Sequence, residues 1–150
     1  MPGIVQVTQG GPKTFTPADN QVIKGGQLVE ARTGGRIGVA AAGSLKVLGV
    51  ALTDAVAPED FPGANGTDAI GRPVVSLAPI PTTVAVAYAG TEVKVTYAAD
   101  ATFGDKLIAA ANGQVTPAGA TPDARTIVGI CTEPAGVDVS EKAVGLIRLA

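Results

Sequence analysis

The sequence predicts a small, mainly β domain with little helix, and three observations predict it. Twenty Gly and eleven Pro in 150 residues leave few stretches long enough for a helix, since either residue breaks one. The apolar fraction is 46%, yet aromatics are only 3% and Trp is absent, so the core is built from Ala, Val, Leu and Ile. Finally, one β-patterned phrase is written twice, from Ile23 to Ala55 and from Phe103 to Ala135. Gly26 and Gly35 of the first copy match Gly104 and Gly113 of the second at the same spacing. Leu48–Ala51 then matches Val128–Cys131, after a connection two residues longer in the second copy.

In chain order, residues 1–20 read as an extended N-terminal arm, with Ile4, Val5 and Val7 as a short strand broken by Gly10-Gly11-Pro12. Residues 21–150 form the β-rich domain. Gln27 to Ala31 alternates as a half-buried strand, Thr33-Gly34-Gly35 turns with positive φ, and Arg36 to Val39 and Lys46 to Leu52 are further strands. A helix over Val39 to Leu52 would hold Gly43 and Gly49, each costing ~1 kcal/mol against Ala. Residues 57–71 read as a protruding loop and Arg72 to Ile80 as a proline-bounded extended segment. Thr83 to Tyr97 gives the cleanest alternation in the chain and is expected to be a hairpin turning at Gly90. The second copy follows, with Asn112-Gly113 at its turn. Ala143 to Leu149 closes the chain as a strand that pairs back into the sheet.

Charge and composition exclude several functions. A formal net charge of −2 without clustered Lys and Arg argues against nucleic acid. The positive mean hydropathy argues against disorder. The longest apolar run, Ile37 to Ala57, contains Lys46 and Asp54 and three glycines, which is not the pattern of a membrane span. The first residues lack the basic and apolar regions of a signal peptide. With no His in the chain, Ser-His-Asp and Cys-His arrangements and histidine zinc sites are excluded. The single Cys131 stands where the first copy has Ala51 and reads as a small buried hydrophobe.

Three acidic groups remain: Glu59 with Asp60, Asp100 near Asp105, and Glu133 near Asp138. Carboxylate pairs can hydrolyse glycosides and oxygen clusters can hold Ca²⁺, but each group lies in a turn-rich stretch where acids are ordinary solvated residues. Gly34-Gly35-Arg36-Ile37-Gly38 lacks the spacing of a dinucleotide-binding loop. No catalytic, cofactor-binding or metal-binding residue is assigned, and the chain is expected not to be an enzyme. A weakly charged, apolar chain of this kind reads as one whose surplus apolar surface is covered by other subunits.

At the two repeat cores, IKGGQLVEARTGGRIGVAAAG…LGVALTDA and GDKLIAAANGQVTPA…IVGICTEPA, with TVAVAYAGTEVKV between them, the sequence resembles the capsid decoration or cement proteins of tailed bacteriophages, including the lambda-type head decoration proteins. The resemblance implies a small β-barrel or tulip-like domain. It also implies a structural virion protein, made in the host cytoplasm, that binds the outer surface of the capsid as a homotrimer at three-fold and quasi-three-fold positions. The major capsid protein and the chain itself are then the partners, with no cofactor, nucleic acid or membrane. By position, the arm makes the shell contact through Ile4, Val5, Val7 and Phe15, and Phe61 lies in an exposed contact loop. Other readings are a head or tail fibre domain, a carboxylate-dependent glycan hydrolase and an adhesion module.

Overall fold

Glycine and proline recur every few residues, so the strands are short. A computed structural model describes residues 10–60, 66–67, 69–74 and 80–150. In chain order the strands are β1 Lys13–Phe15, β2 Val22–Ile23, β3 Leu28–Ala31, β4 Ile37–Val39, β5 Val47–Ala51, β6 Ala55–Val56 and β7 Gly66–Thr67. They continue with β8 Pro73–Val74, β9 Val84–Ala87, β10 Glu92–Thr96, β11 Lys106–Ala109, β12 Val115–Pro117, β13 Ile127–Cys131 and β14 Val144–Leu149. Helix is confined, among the described residues, to single 3-10 turns such as Thr33–Gly35 and Ala111–Gly113. The protein is mainly β.

Two five-stranded antiparallel sheets carry the fold, in the orders β1-β9-β5-β3-β4 and β10-β14-β13-β11-β12. These are the same sheet built twice, from consecutive halves of the chain. The bulge that interrupts the β3–β5 register between Val29 and Glu30 returns between Leu107 and Ile108 in β11–β13. Gly34 (φ 72°) and Gly35 (φ 70°) are matched by Asn112 (φ 57°) and Gly113 (φ 67°). The hydrogen bond from Ala40 N–H to Leu28 O at 2.9 Å is matched by Ala118 N–H to Lys106 O at 2.7 Å. The repeat seen in the sequence is therefore a repeat of fold, and it extends beyond the matched phrase to β1 with β9 and to β10 with β14.

That extension corrects the expected hairpin. β9 pairs with β1 and β5, whereas β10 pairs with β14, so the two alternating strands around Gly90 never meet. Alternation reports that each strand has one buried face; it does not name the strand alongside. Gly90, at φ 83°, marks the end of the first sheet and the start of the second.

Each sheet curls on itself. Pro17 makes an isolated parallel bridge to Ile37 and Tyr97 makes the matching one to Val115, while Ala18 and Ala98 donate to the carbonyls of Ile37 and Val115 at 2.7 and 2.8 Å. One bridge does not close a barrel, and the sheets remain open. The described part of the expected arm is thus an edge strand of the chain's own first sheet, held by Lys13–Phe15 against Val84–Val86. The strand expected around Ile4, Val5 and Val7 lies outside the described residues.

Inside the first sheet, Ile23, Val29, Ile37, Ala51, Val84 and Val86 make one core. The second core is shared: Val95, Leu107, Val115, Cys131 and Ile147 of the second sheet pack with Leu28, Ala40, Val50 and Ala87 from the opposite face of the first. Cys131 is a free, buried thiol, as expected of a small hydrophobe. Tyr97 fills this core and donates its hydroxyl to Leu146 O at 2.8 Å; burial first, then the neighbouring Cys131, pushes the phenol well above its ordinary pKa.

Gly49 and Gly129 occupy equivalent points of the two sheets. A Cβ on Gly49 would collide with the Ala87 carbonyl oxygen, and one on Gly129 would lie 2.5 Å from the Arg148 carbonyl oxygen. Gly49→Ala and Gly129→Ala should each destabilise the fold by about 1–3 kcal/mol through overpacking. Gly119→Ala, where a Cβ meets nothing within 4 Å, should be nearly neutral. Urea denaturation of the three variants checks this.

Candidate interaction surfaces

The acidic groups are spent on local structure. Asn20 N–H donates to Asp60 at 2.7 Å, and Glu59 pairs with Arg36 at 2.6 Å, a hydrogen bond that holds the Glu59 carboxyl below its ordinary pKa. Asp100 accepts from Val139 N–H, Asp105 from Thr102 N–H and Asp138 from Ser140 N–H, at 2.8–2.9 Å. Asp100, Asp105 and Asp138 do share a recess of about 440 Å³ with the exposed ring of Phe103. Asp105 and Asp138 bond within their own turns, and Asp100 reaches across to the Val139 amide. Among the described residues no group of three or more His, Cys, Asp or Glu could hold a metal ion.

The surfaces left over are faces of the sheets. Residues directly across strands form rows, and neighbours in a row lie about 5 Å apart. In the first sheet one row runs Leu28–Val50–Ala87, and all three side chains are buried under the second sheet. The equivalent row of the second sheet runs Lys106–Ile130–Arg148 and ends on Glu92. There Lys106 and Arg148 are exposed, and Ile130 between them is 42% exposed. Neither cation enters an ion pair among the described residues.

The reverse asymmetry holds at the end of each sheet. Val95, Ala109 and Leu149 are buried against the first sheet. The Gly113 N–H donates to Ala40 O at 3.1 Å, and the Gln27 side chain donates to Asn112 O at 2.9 Å. Their counterparts in the first sheet are Phe15, Ala31 and Tyr88, all half-buried, and Gly35, which is exposed. Phe15 and Tyr88 meet edge to face at 6.3 Å, with Lys13 Nζ 5.4 Å above the Phe15 ring.

Of the residues expected to contact a capsid, Phe15 therefore sits half-buried on the chain's own first sheet. Ile4, Val5, Val7 and Phe61 lie outside the described residues. Sequence reasoning passed over Lys106, Ile130 and Arg148, although setting the copies side by side shows Leu28 and Val50 replaced by Lys106 and Ile130; that Arg148 stands for Ala87 follows only from the strand pairing.

Three solved structures share this architecture. The head fiber gp8.5 N base of bacteriophage phi29 matches with a TM-score of 0.56 and 18% identity, over 93% of this chain and 94% of that one. The fold is similar to that of this phi29 head-fiber base. Pre-mature phi29 gene product 12 matches over 96% of this chain but 22% of its own length, with a TM-score of 0.55 and 19% identity. The gene product 12 C-terminal fragment matches over 92% and 97%, with a TM-score of 0.53 and 20% identity. These likenesses lie with phi29 head-fiber and gene product 12 chains. No family model and no curated protein sequence matches the chain.

One buried acid distinguishes the first sheet. Glu30, where the second sheet has Ile108, accepts from Ala41 N–H at 3.2 Å and pairs with Arg32 at 2.8 Å. Burial raises its pKa, but hydrogen bonds from Ser44 and Ala41 and the charges of Arg32 and Lys46 outweigh it, so the net shift is downward from 4.5. A carboxyl with a depressed folded-state pKa contributes stability above its unfolded pKa, and that stability is lost as pH falls through the folded value. Thermal unfolding should therefore show the wild type losing stability below about pH 4.5 more steeply than Glu30→Gln. Parallel acid limbs would remove Glu30 from the account.

Proposed function

We propose that this chain is a structural virion protein of a tailed phage that binds the outside of the head as a trimer at three-fold and quasi-three-fold positions and stabilises the shell. The observation that carries the reading is the likeness to the phi29 head-fiber base, which spans nearly the whole of both chains. Composition supports it: a chain without His, whose three acidic groups are held by backbone amides or an arginine, offers chemistry suited to contact. Docking on a lattice lets modest individual contacts sum to tight binding. The shell contact is assigned to Ile4, Val5 and Val7 ahead of β1, together with Phe61. Phe15, the last residue of β1, is half-buried on the first sheet.

A second reading is the base of a fibre, since the matched phi29 chain is itself a head-fiber base. Purified protein mixed with undecorated heads and imaged by cryo-electron microscopy tests the proposal. Density at three-fold and quasi-three-fold sites, and heads that survive harsher heating, are expected. Removing residues 1–9 leaves β1 in place and should abolish decoration while the truncated chain stays folded. Bare heads with the full chain would defeat the reading, and full decoration by the truncated chain would clear the arm of any role.

A further inference from the structure

The contact between the two halves of this chain is one-sided. The open end of the second sheet, with Val95, Ala109, Gly113 and Leu149, sits on the outer row Leu28–Val50–Ala87 of the first. The same fold occurs twice, so the chain owns a second end and a second outer row, and neither is covered by the described residues. The spare end carries Phe15, Ala31, Gly35 and Tyr88. Its turn repeats the backbone of the buried one, with φ of 70° at Gly35 and 67° at Gly113. A Cβ on Gly113 would lie 2.7 Å from Leu28 O, whereas one on Gly35 meets nothing within 4 Å. The spare row is Lys106–Ile130–Arg148.

We propose that copies of this chain join head to tail, the open end of the first sheet in one copy seating on the outer row of the second sheet in the next. The partner is a second copy because the chain already makes this contact within itself and has both halves of it left over. The substituted residues complement each other: half-exposed aromatic rings replace Val95 and Leu149 at the end, and two cations flanking an isoleucine replace the aliphatic row. Cations favour aromatic faces; Lys13 of the same copy already lies over the Phe15 ring, so the Tyr88 ring is the one offered to Lys106 and Arg148, and Ile130 keeps an apolar centre. A contact between unlike surfaces is heterologous, so repetition gives a ring or an open chain of copies. The inference deepens the reading of a subunit gripped by neighbours, but its test needs no phage head.

Analytical ultracentrifugation of the purified chain should show a concentration-dependent multimer. Ile130→Arg blocks the row, and Tyr88→Arg blocks the end by facing it with Lys106 and Arg148. Thr33→Arg, at an exposed site in the same turn as Gly35, does the same should Tyr88→Arg not fold. Each variant alone should sediment as one chain. An equimolar mixture of a row variant and an end variant keeps one intact contact and should sediment as two chains and no more. A single-chain wild type at high concentration, multimers indifferent to these substitutions, or a mixture that stays single would each overturn the proposal. Head decoration, measured separately, stands or falls on its own result.

Discussion

The second sheet cannot finish its own core. Its apolar inner face is closed at one end by the row Leu28–Val50–Ala87, which belongs to the opposite side of the first sheet. Most other features of the molecule depend on that closure. It makes the first sheet apolar on two faces, whereas the second can afford Lys106 and Arg148 on the corresponding face. It brings Gly113 against Leu28 O and excludes any larger residue there. It also places Thr96 N–H on Gly26 O at 3.0 Å and Gly43 N–H on Ala109 O at 2.9 Å, so backbone hydrogen bonds as well as side chains cross between the sheets. A chain with small side chains and 3% aromatics gains little apolar area from each residue, and sharing one core is how two thin sheets bury enough.

The duplication was legible because backbone geometry enforces it. Gly35 and Gly113 persist where φ is positive, and Gly49 and Gly129 persist where a strand carbonyl leaves no room for Cβ. The β11–β12 turn at Asn112-Gly113 and the closing strand at Ala143 to Leu149 were legible for similar local reasons. The partner of each strand was not. Val84–Ala87 and Glu92–Thr96 alternate as the arms of a hairpin would, yet they stand in different sheets. Pairing is settled by which edge the rest of the chain leaves open, and a local pattern carries no information about that. The end of the arm was missed likewise: Lys13–Phe15 has no alternation of its own, and only β9 gives it a place.

The surfaces were legible only by comparing the copies. A face that stays apolar in one and turns charged in the other is covered in one and open in the other. That contrast says more than exposure alone, because single exposed aliphatics are ordinary on any protein. The acidic groups ran the opposite way. In sequence they invited a catalytic or calcium-binding reading, and in the fold each takes a backbone amide or a neighbouring arginine. Function of this kind resides in faces and edges, and the likeness to the phi29 head-fiber base is a likeness of that scaffold.

If one shared core holds both sheets, they must unfold together. Differential scanning calorimetry tests this most directly. The account predicts a single transition whose calorimetric and van't Hoff enthalpies agree. Two resolved transitions, one for each sheet, would contradict it.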